Sequence, residues 1–361
     1  MDDLCTRPAV VGHSASVHAR KVPSIRLHID DPDGSYSTVR IATDLELPDE
    51  KRAFARENGG WVLDLGDLPL QRLEYMIEVE HAGGGWETIP DPSQGQVAGV
   101  FGSKSELRLE GYRDPWWLRT DHVPGEAVTF TVASKALKAD LEVGIWSPEG
   151  HDGPLPLLVA NDGPEYDQLS HLTTYAAAVI GTHELKPFRV ALLAPVDRDE
   201  TYSASAAYAR ALTTEILPAI RREVAVEGRV VGMGASLGGL SMLHAHRRYP
   251  GTFAGLFLQS SSFFLPRFDG HESGFPRWQR IVRFVRGTLN TRHTEDPIAV
   301  AITCGSCEEN RRNNRLVADA LASQGNDTTF HLVGDTHNYT AWRDAFDPHL
   351  TDLLIRAWWS R

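Results

Sequence analysis

The chain has 361 residues, of which 42% are apolar and 23% are charged, and its formal net charge is −12. This composition is typical of a folded globular protein, and the length accommodates one large domain plus a smaller one. No apolar run approaches the ~20 residues of a membrane-spanning helix, and the acidic balance argues against a nucleic-acid partner. Residues 1–21 are predicted to form a tail. Because its acidic start lacks the layout of a signal peptide, we expect a cytoplasmic protein with no membrane partner.

Residues 22–110 are predicted to form a β-sandwich domain of the immunoglobulin-like type. Five segments of this region alternate apolar with polar side chains: SIRLHID, STVRIATDLEL, GWVLDLGDL, LEYMIEVE and GWETIP. Such alternation places one face of each strand on a core and the other face in water. Regular spacing with no helical pattern between the segments favours a sandwich. The sequence from about 90 to 122 is rich in Pro and Gly and is interpreted as the connection between domains, with the linker itself at 111–124.

Residues 125–361 are predicted to form one α/β domain. Eight continuous apolar runs suit strands that are buried on both faces. In chain order these runs are VTFTVAS, LEVGIWS, LPLLVA, FRVALLA, RVVGM, FAGLFLQS, IAVAIT and FHLVG. Segments with apolar residues at helical spacing separate the later runs. This alternation predicts a mostly parallel eight-stranded sheet flanked by helices.

A serine lies among glycines at the end of the fifth run, in the sequence VVGMGASLGGLSML. Ser236 directly follows the strand run and directly precedes a helical segment that begins at Leu237. The pattern G-x-S-x-G occurs often by chance, but the strand–turn–helix context is that of the nucleophile elbow of α/β-hydrolases. Such a turn strains the serine backbone and leaves no room for bulky neighbours, which explains the glycines. Ser236 is therefore the predicted nucleophile of an α/β-hydrolase.

A serine nucleophile needs a base, and the order of catalytic residues in α/β-hydrolases is serine, then acid, then histidine. His337 lies in the loop after the last strand run and before the last helical segment, where such a base belongs. The acid should follow the penultimate run, where the chain reads CGSCEEN. Glu308 and Glu309 are both candidates, because their spacing from the strand does not separate them.

An oxyanion that forms on an attacked ester needs two backbone N–H donors. Leu237, directly after the serine, is expected to supply the first donor. The second should come from the loop after the third run, LLVANDGPEYDQL. Because Pro164 has no N–H, Gly163 and Glu165 are the candidates for this donor.

No metal and no cofactor are expected. Cys304 and Cys307 form a C-x-x-C pair, but Cys5 is the only other thiol, whereas a structural zinc site needs four ligands. The pair is either a redox-sensitive dithiol or two small residues at a strand exit.

Further side chains are candidates for substrate binding. Arg198 and Tyr202 follow the fourth run at its carboxyl end, where α/β sheets bind ligands, although they could also cap the next helix. Trp342 lies just past His337, and it either holds the loop that carries His337 in place or only packs against its neighbours. Four arginines spaced three apart in PRWQRIVRFVRG form either a site for an anionic substrate or the solvated face of an amphipathic helix: Arg277, Arg280, Arg283 and Arg286.

Together these segments resemble the enterochelin (ferric enterobactin) esterase family within the esterase D and mycolyltransferase-like α/β-hydrolases. The resemblance is carried by GGWVLDLGDLPLQRLEYMIEV, LLVANDGPEY, GMGASLGGLSML, FLQSSSFF, CGSCEEN and GDTHNYTAWRDAF, and it covers nearly the whole chain. In that family the acid lies three residues after a glycine that leaves the seventh strand, which corresponds to Gly305 and Glu308. The resemblance therefore implies a triad of Ser236, Glu308 and His337.

The resemblance also implies hydrolysis of the trilactone esters of catecholate siderophores, with release of iron inside the cell. Relatives of this family include broad carboxylesterases and carbohydrate-ester hydrolases of the acetyl or feruloyl type, and an acyltransferase could use the same triad. A non-catalytic interaction protein is disfavoured, because all three residue types of a triad occur in the right order. The natural ester and the oligomeric state are left open by the sequence.

Overall fold

The computed structural model describes residues 24–359, so the expected tail at 1–21 and Cys5 lie outside the described residues. The described chain is a mixed α/β protein with several sheets, and it divides into two compact units. Unit 1 contains residues 24–113 and two short later segments, 305–309 and 333–338. Unit 2 contains residues 114–304, 310–332 and 339–359. The boundaries expected from the sequence, at 22–110, 111–124 and 125–361, stay predictions.

Unit 1 is built from eight antiparallel strands in two sheets. The strands are β1 (Ser24–Asp30), β2 (Tyr36–Ala42), β3 (Ala55–Glu57), β4 (Gly60–Asp67), β5 (Arg72–His81), β6 (Trp86–Ile89), β7 (Gly95–Gly99) and β8 (Gly102–Arg108). One sheet has the order β1-β4-β3, and the other has the order β2-β5-β8-β7 with β6 paired to β5. Buried residues alternate along β1 and β2, one strand from each sheet, and the buried residues of both sheets form one hydrophobic cluster. The period of two in the sequence therefore corresponds to a covered face of each sheet.

Two of these strands lie where the sequence indicated a connection between domains. Strands β7 and β8 fall inside the Pro- and Gly-rich stretch that begins near residue 90, so that stretch is wrongly interpreted as connection over its first part. Only one of their residues, Ser105, is buried, and β7 begins and ends at glycine. With few buried apolar positions, such strands give little alternation for a sequence pattern to detect.

Unit 2 contains a sheet of eight strands. They are β9 (Gly125–Ser134), β10 (Ala139–Pro148), β11 (Leu157–Asn161), β12 (Arg189–Leu193), β13 (Val230–Ala235), β14 (Phe253–Gln259), β15 (Ala299–Gly305) and β16 (Asp327–Val333). Their order is β16-β15-β14-β13-β11-β12-β10-β9. The neighbouring strands β12, β11, β13, β14 and β15 are parallel to one another, and β10 is antiparallel to both of its neighbours, β9 and β12. Every residue of β11, β13 and β15 is buried, as expected for central strands covered on both faces.

Ten α-helices accompany this sheet. They are α1 (Gly163–Ser170), α2 (Leu172–Gly181), α3 (Arg198–Tyr202), α4 (Ala206–Ala211), α5 (Leu217–Glu223), α6 (Leu237–Arg248), α7 (Trp278–Asn290), α8 (Arg311–Ser323), α9 (Tyr339–Asp344) and α10 (Thr351–Leu354). Short 3₁₀ turns cover Asp49–Lys51, Trp116–Arg119 and Gly270–Gly274, and π-helical turns cover Leu212–Ile216, Phe346–Leu350 and Ile355–Trp359. Helices α1 and α2 were not predicted from the sequence. Within residues 24–359, none of the helices combines the length and the apolar character that a membrane crossing requires.

Candidate active site

Ser236 occupies a sharp turn between β13 and α6. Its backbone has φ 54° and ψ −124°, a left-handed conformation that is rare for a residue with a side chain. The turn is held in place because Ser236 N donates to the Gln259 carbonyl oxygen at 2.9 Å, and the Ser236 carbonyl accepts from Ser262 N at 3.1 Å. A non-glycine residue persists in such a region only when the surrounding structure fixes it. This geometry is that of a nucleophile elbow.

The glycine before the serine is required by close packing of the turn. A Cβ atom on Gly234 would lie 2.5 Å from the carbonyl carbon of Gly238 and 2.7 Å from its oxygen. These are backbone atoms that no rotamer change can move away. Gly234 therefore lets the end of β13 pass against the first turn of α6.

The hydroxyl of Ser236 has a polar neighbour that was not predicted from the sequence. Ser262 Oγ lies 3.0 Å from Ser236 Oγ, in the loop that follows β14. The signal in the sequence is the run of three serines at 260–262 directly after a buried strand, at the carboxyl edge of the sheet where α/β folds place their sites.

The loop after β11 is pinned to the start of α6. Asn161 Nδ2 donates to the Gly238 carbonyl oxygen at 3.0 Å and to Ser241 Oγ at 2.7 Å. The next residue, Asp162, has φ 51° and ψ 40°, and both of its carboxylate oxygens accept from Arg198 at 2.9 Å. These contacts hold the loop that carries the predicted second oxyanion donor beside the turn that carries the first.

The three predicted oxyanion donors all belong to helix N-termini. Leu237 is the first residue of α6, Gly163 is the first residue of α1, and Glu165 lies in the first turn of α1. The first N–H groups of a helix have no partner within the helix and point out of its N-terminus. Gly163 has no space for a side chain, because a Cβ there would meet the Leu192 backbone. Both loops therefore offer backbone donors that an anionic oxygen could accept from.

The acid and the histidine come together in unit 1. His337 Nδ1 lies 3.4 Å from Glu308 Oε2, and the Glu308 side chain is only 1% exposed whereas that of His337 is 28% exposed. Burial works to lower the pKa of His337, but the adjacent Glu308 carboxylate outweighs this effect, and the pKa is raised. Glu309 is not buried and makes a smaller raising contribution to the same pKa. The structure thus pairs His337 with Glu308.

The predicted substrate-binding residues have varied surroundings. Tyr202 is 0% exposed, and its hydroxyl accepts from Asp162 N at 3.3 Å. The buried side chain supports Asp162 from inside the core, and its contact with substrate stays a prediction. Trp342 is also buried, and its indole Nε1 donates to Ser260 Oγ at 3.2 Å.

The arginine row of α7 is divided between a tethered and an exposed part. Arg277 and Arg280 both contact the Glu200 carboxylate, and Arg280 Nη1 lies 2.7 Å from Glu200 Oε1. Arg280 also donates to the carbonyl oxygens of Glu200 and Ser203 at 2.5 Å. Arg283 is exposed. The structure therefore gives Arg280 a bridging role between α7 and α3, and leaves Arg283 at the surface.

Comparisons with known proteins give a family match and several similar folds. Residues 134–353 match the model of a family described as "Putative esterase". The fold is similar to that of the enterobactin esterase from Shigella flexneri, solved in the presence of enterobactin, with a TM-score of 0.72, 19% identity and 92% of each chain covered. It is similar to ferric enterobactin esterase from Salmonella typhimurium with a TM-score of 0.73, 19% identity and coverage of 92% of this chain and 93% of that one.

A ferulic acid esterase matches with a TM-score of 0.54 and 17% identity over 63% of this chain and 98% of its own. None of the curated proteins matches the chain. The family match and the similarity to enterobactin esterases confirm the resemblance noted in the sequence.

Proposed function

The chain belongs to the esterase family matched by residues 134–353 and is a carboxylic ester hydrolase, and from this premise we propose that it acts through a triad of Ser236, His337 and Glu308. The observation that carries the proposal is the pairing of His337 Nδ1 with the buried carboxylate of Glu308. A G-x-S-x-G turn can arise by chance, whereas an imidazole oriented by a buried acid is the arrangement that prepares a histidine to act as a base.

In the proposed mechanism His337 Nε2 takes the proton of Ser236 Oγ as that oxygen attacks the ester carbonyl. Nε2 is the available nitrogen because Nδ1 faces Glu308, which fixes the tautomer and stabilises the imidazolium. The oxyanion accepts from Leu237 N–H and from the N–H of Gly163 or Glu165. The protonated His337 then gives its proton to the leaving alcohol. Finally, the same histidine activates a water molecule that hydrolyses the acyl-enzyme.

We extend the proposal to a substrate class, the trilactone esters of catecholate siderophores. The support is that the likeness to enterobactin esterases extends over both units, whereas the likeness to the ferulic acid esterase covers 63% of the chain. A ferric catecholate is anionic, and this chain has a net charge of −12, so attraction must come from local cations. Arg283 and Arg286 are the exposed arginines of α7 that could supply it.

The experiment that tests the triad is a comparison of Ser236→Ala with the wild-type enzyme on p-nitrophenyl acetate. We expect kcat to fall at least ~10⁴-fold and labelling by a fluorophosphonate probe to be lost. Ser323→Ala, at an exposed serine that ends α8, is the matched control and should keep full activity. Unchanged turnover in Ser236→Ala would remove this serine from the mechanism.

A panel of a macrocyclic catecholate trilactone, aryl esters and acetylated or feruloylated sugars tests the substrate class separately. We expect the trilactone to have the highest kcat/KM. Preference for a sugar ester, or transfer of the acyl group to an added alcohol, would overturn the substrate assignment and leave the triad in place.

The finer architecture is part of the same proposal. We infer an α/β-hydrolase with a mostly parallel eight-stranded sheet at 125–361, an immunoglobulin-like sandwich at 22–110 and a linker at 111–124. The strand order of unit 2 and the two antiparallel sheets of unit 1 support it. The cytoplasmic location stays a prediction of the sequence.

A further inference from the structure

A buried arginine of unit 1 contacts the loop that carries His337. Arg72, the first residue of β5, is 0% exposed. Its Nε donates to Asp335 Oδ2 at 2.8 Å, and its Nη2 donates to Asn338 Oδ1 at 2.6 Å. These two acceptors stand on either side of His337 in the sequence, within the segment 333–338, here named the histidine loop. The guanidinium therefore binds this loop on both sides of His337.

The two acceptors are also joined to each other. Asp335 Oδ1 accepts from Asn338 Nδ2 at 2.9 Å and from Thr336 N at 2.7 Å. Arg72, Asp335 and Asn338 thus close a ring of hydrogen bonds under the histidine. Charge-assisted bonds of this kind are stronger and more directional than neutral ones, and the planar guanidinium fixes their geometry.

Residues next to Arg72 hold both catalytic loops. Gln71 N donates to the Gly334 carbonyl oxygen at 2.7 Å, which fixes the start of the histidine loop. The Pro69 carbonyl oxygen accepts from Ser306 Oγ at 2.6 Å, in the segment 305–309 that carries Glu308. Residues 69–72 therefore contact both the segment that carries Glu308 and the segment that carries His337, and they fix the positions of the two segments relative to each other.

Arg72 has three carboxylate partners, whereas a simple ion pair has one. Besides Asp335, its guanidinium contacts Glu74 Oε1 at 2.9 Å and Glu106 Oε1 at 3.1 Å. Burial raises the pKa of Asp335 to about 6, although the Arg72 charge, the Asn338 amide and the Thr336 N–H lower it. Arg72 thus helps to keep Asp335 ionised at neutral pH, and only an ionised Asp335 accepts all of these bonds.

We propose that Arg72 is a positioning residue for ester hydrolysis: by binding Asp335 and Asn338 it holds the His337 imidazole against Glu308. The inference rests on the proposed role of His337 as the base. It gives the N-terminal β unit a function in catalysis that requires no contact with the substrate. The single ammonium of a lysine cannot bind both acceptors in this way.

The test uses two variants that conserve net charge, Arg72→Lys and Asn338→Ala, in the full chain. The first readout is the pKa of His337 in the free enzyme, followed by NMR of its imidazole carbon and assigned with His337→Gln. If the ring of hydrogen bonds formed by Arg72, Asp335 and Asn338 is broken, the Glu308 carboxylate stabilises the imidazolium less strongly. We therefore expect the pKa of His337 to fall in both variants. The second readout is steady-state hydrolysis of p-nitrophenyl acetate. We expect kcat to fall ~10- to 100-fold while KM changes less than about threefold, since a misplaced base slows the chemical steps.

Arg189→Lys is the matched control, because Arg189 is another buried arginine with an extensive set of hydrogen bonds. Its guanidinium donates to Ser147 Oγ and to the carbonyl oxygens of His151, Gly153 and Ala225, all within unit 2. Arg189 begins β12, at the edge of the parallel sheet away from the strand ends that carry Ser236 and the Asp162 loop. We expect a lower melting temperature but an unchanged His337 pKa and unchanged kcat.

The outcomes separate this inference from the proposed function. If Arg72→Lys and Asn338→Ala lower the melting temperature as Arg189→Lys does, yet keep the His337 pKa and kcat, then Arg72 is only a structural residue. If Arg72→Lys fails to fold, Asn338→Ala decides the question, because it leaves all three ion pairs of Arg72 intact. If Ser236→Ala still hydrolyses esters, the triad fails, but the NMR measurement still shows whether Arg72 positions His337.

Discussion

Glu308 Oε2 and His337 Nδ1 lie 3.4 Å apart, with the carboxylate buried and the imidazole partly open to solvent. Both residues follow strands of the eight-stranded sheet, Glu308 after β15 and His337 after β16, yet the segments that carry them belong to unit 1. The carboxylate raises the pKa of His337 against the effect of burial. Because only the neutral imidazole accepts a proton, this pair sets the lower pH limit of the proposed reaction.

The first prediction concerns the pH profile of kcat/KM. In the wild-type enzyme kcat/KM should fall as the pH drops through the pKa of His337, which lies above the ordinary value of 6.5. In Glu308→Gln the raising effect is lost and burial dominates, so the acidic limb should move to lower pH. The plateau of kcat should fall ~10²- to 10⁴-fold, because the imidazolium loses its partner. The measurement is hydrolysis of p-nitrophenyl acetate between pH 5 and 9.

Glu309→Gln is the control for this prediction. It removes a neighbouring charge but not the carboxylate at Nδ1, so the plateau should remain and the limb should shift only slightly. The assignment of the acid would be reversed if Glu309→Gln lost the plateau and Glu308→Gln kept it.

The second prediction separates two roles of Arg198. Its guanidinium binds both carboxylate oxygens of Asp162, in the loop that precedes Gly163. Lysine cannot reproduce the two parallel bonds, so Arg198→Lys should let this loop move. We expect kcat to fall about tenfold with little change in KM, less than the loss of a whole oxyanion donor. A rise in KM at constant kcat would instead show that Arg198 binds the substrate, as one interpretation of the sequence suggests.

The third prediction concerns acid stability. His244 in α6 is buried, with its ring edge-on to Phe284 at 5.0 Å between centroids. Burial first, and then the charges of Arg248 and Arg280, lower its pKa to about 4. In the unfolded chain His244 therefore binds a proton near pH 6.5, whereas in the folded chain it binds one only near pH 4. Stability from this group is present above pH 6.5 and is lost as the pH falls, by up to about 3 kcal/mol.

His244→Leu should remove this part of the acid sensitivity. The free energy of unfolding, measured by urea titration at pH 7 and pH 4, should differ less in the variant than in the wild-type protein. His246 and His349 also have pKa values lowered to about 4, so some acid sensitivity should remain. An equal pH dependence in the two proteins would show that His244 titrates normally.

The sequence predicted the strands of unit 2 well because central parallel strands are apolar on both faces. All eight apolar runs correspond to strands β9–β16, and Leu237 begins α6 as expected. Helices α1 and α2 were missed for the opposite reason. Helix α1 is short and carries few apolar residues, while α2 is almost uniformly apolar and has no periodic pattern. A buried helix without a polar face gives no helical period.

The site was predictable only where residues are close to a strand end. Ser236, His337 and the two candidate acids all follow apolar runs, so chain order and strand position locate them. Spacing from the strand alone left Glu308 and Glu309 open, and only the resemblance, through the distance from Gly305, favoured Glu308. The roles of Arg72, Asp335 and Asn338 were also invisible, since they depend on contacts between residues distant in sequence. Long-range polar contacts leave no periodic signal.

The fourth prediction isolates the backbone strain at Ser236. The residue has φ 54° and ψ −124°, which costs a residue with a Cβ about 1–3 kcal/mol and costs glycine little. Ser236→Ala and Ser236→Gly both lose the hydroxyl, so their difference reports the backbone alone. We expect the glycine variant to be more stable than the alanine variant by about 1 kcal/mol in urea unfolding.

Asp319, an exposed residue within α8, provides the matched pair with the opposite sign. There glycine should be less stable than alanine by about 1 kcal/mol, because helical backbone favours alanine. If Ser236→Gly is no more stable than Ser236→Ala, the turn stores no strain. Ser236 would then not occupy the conformation that distinguishes a nucleophile elbow from an ordinary strand-to-helix turn.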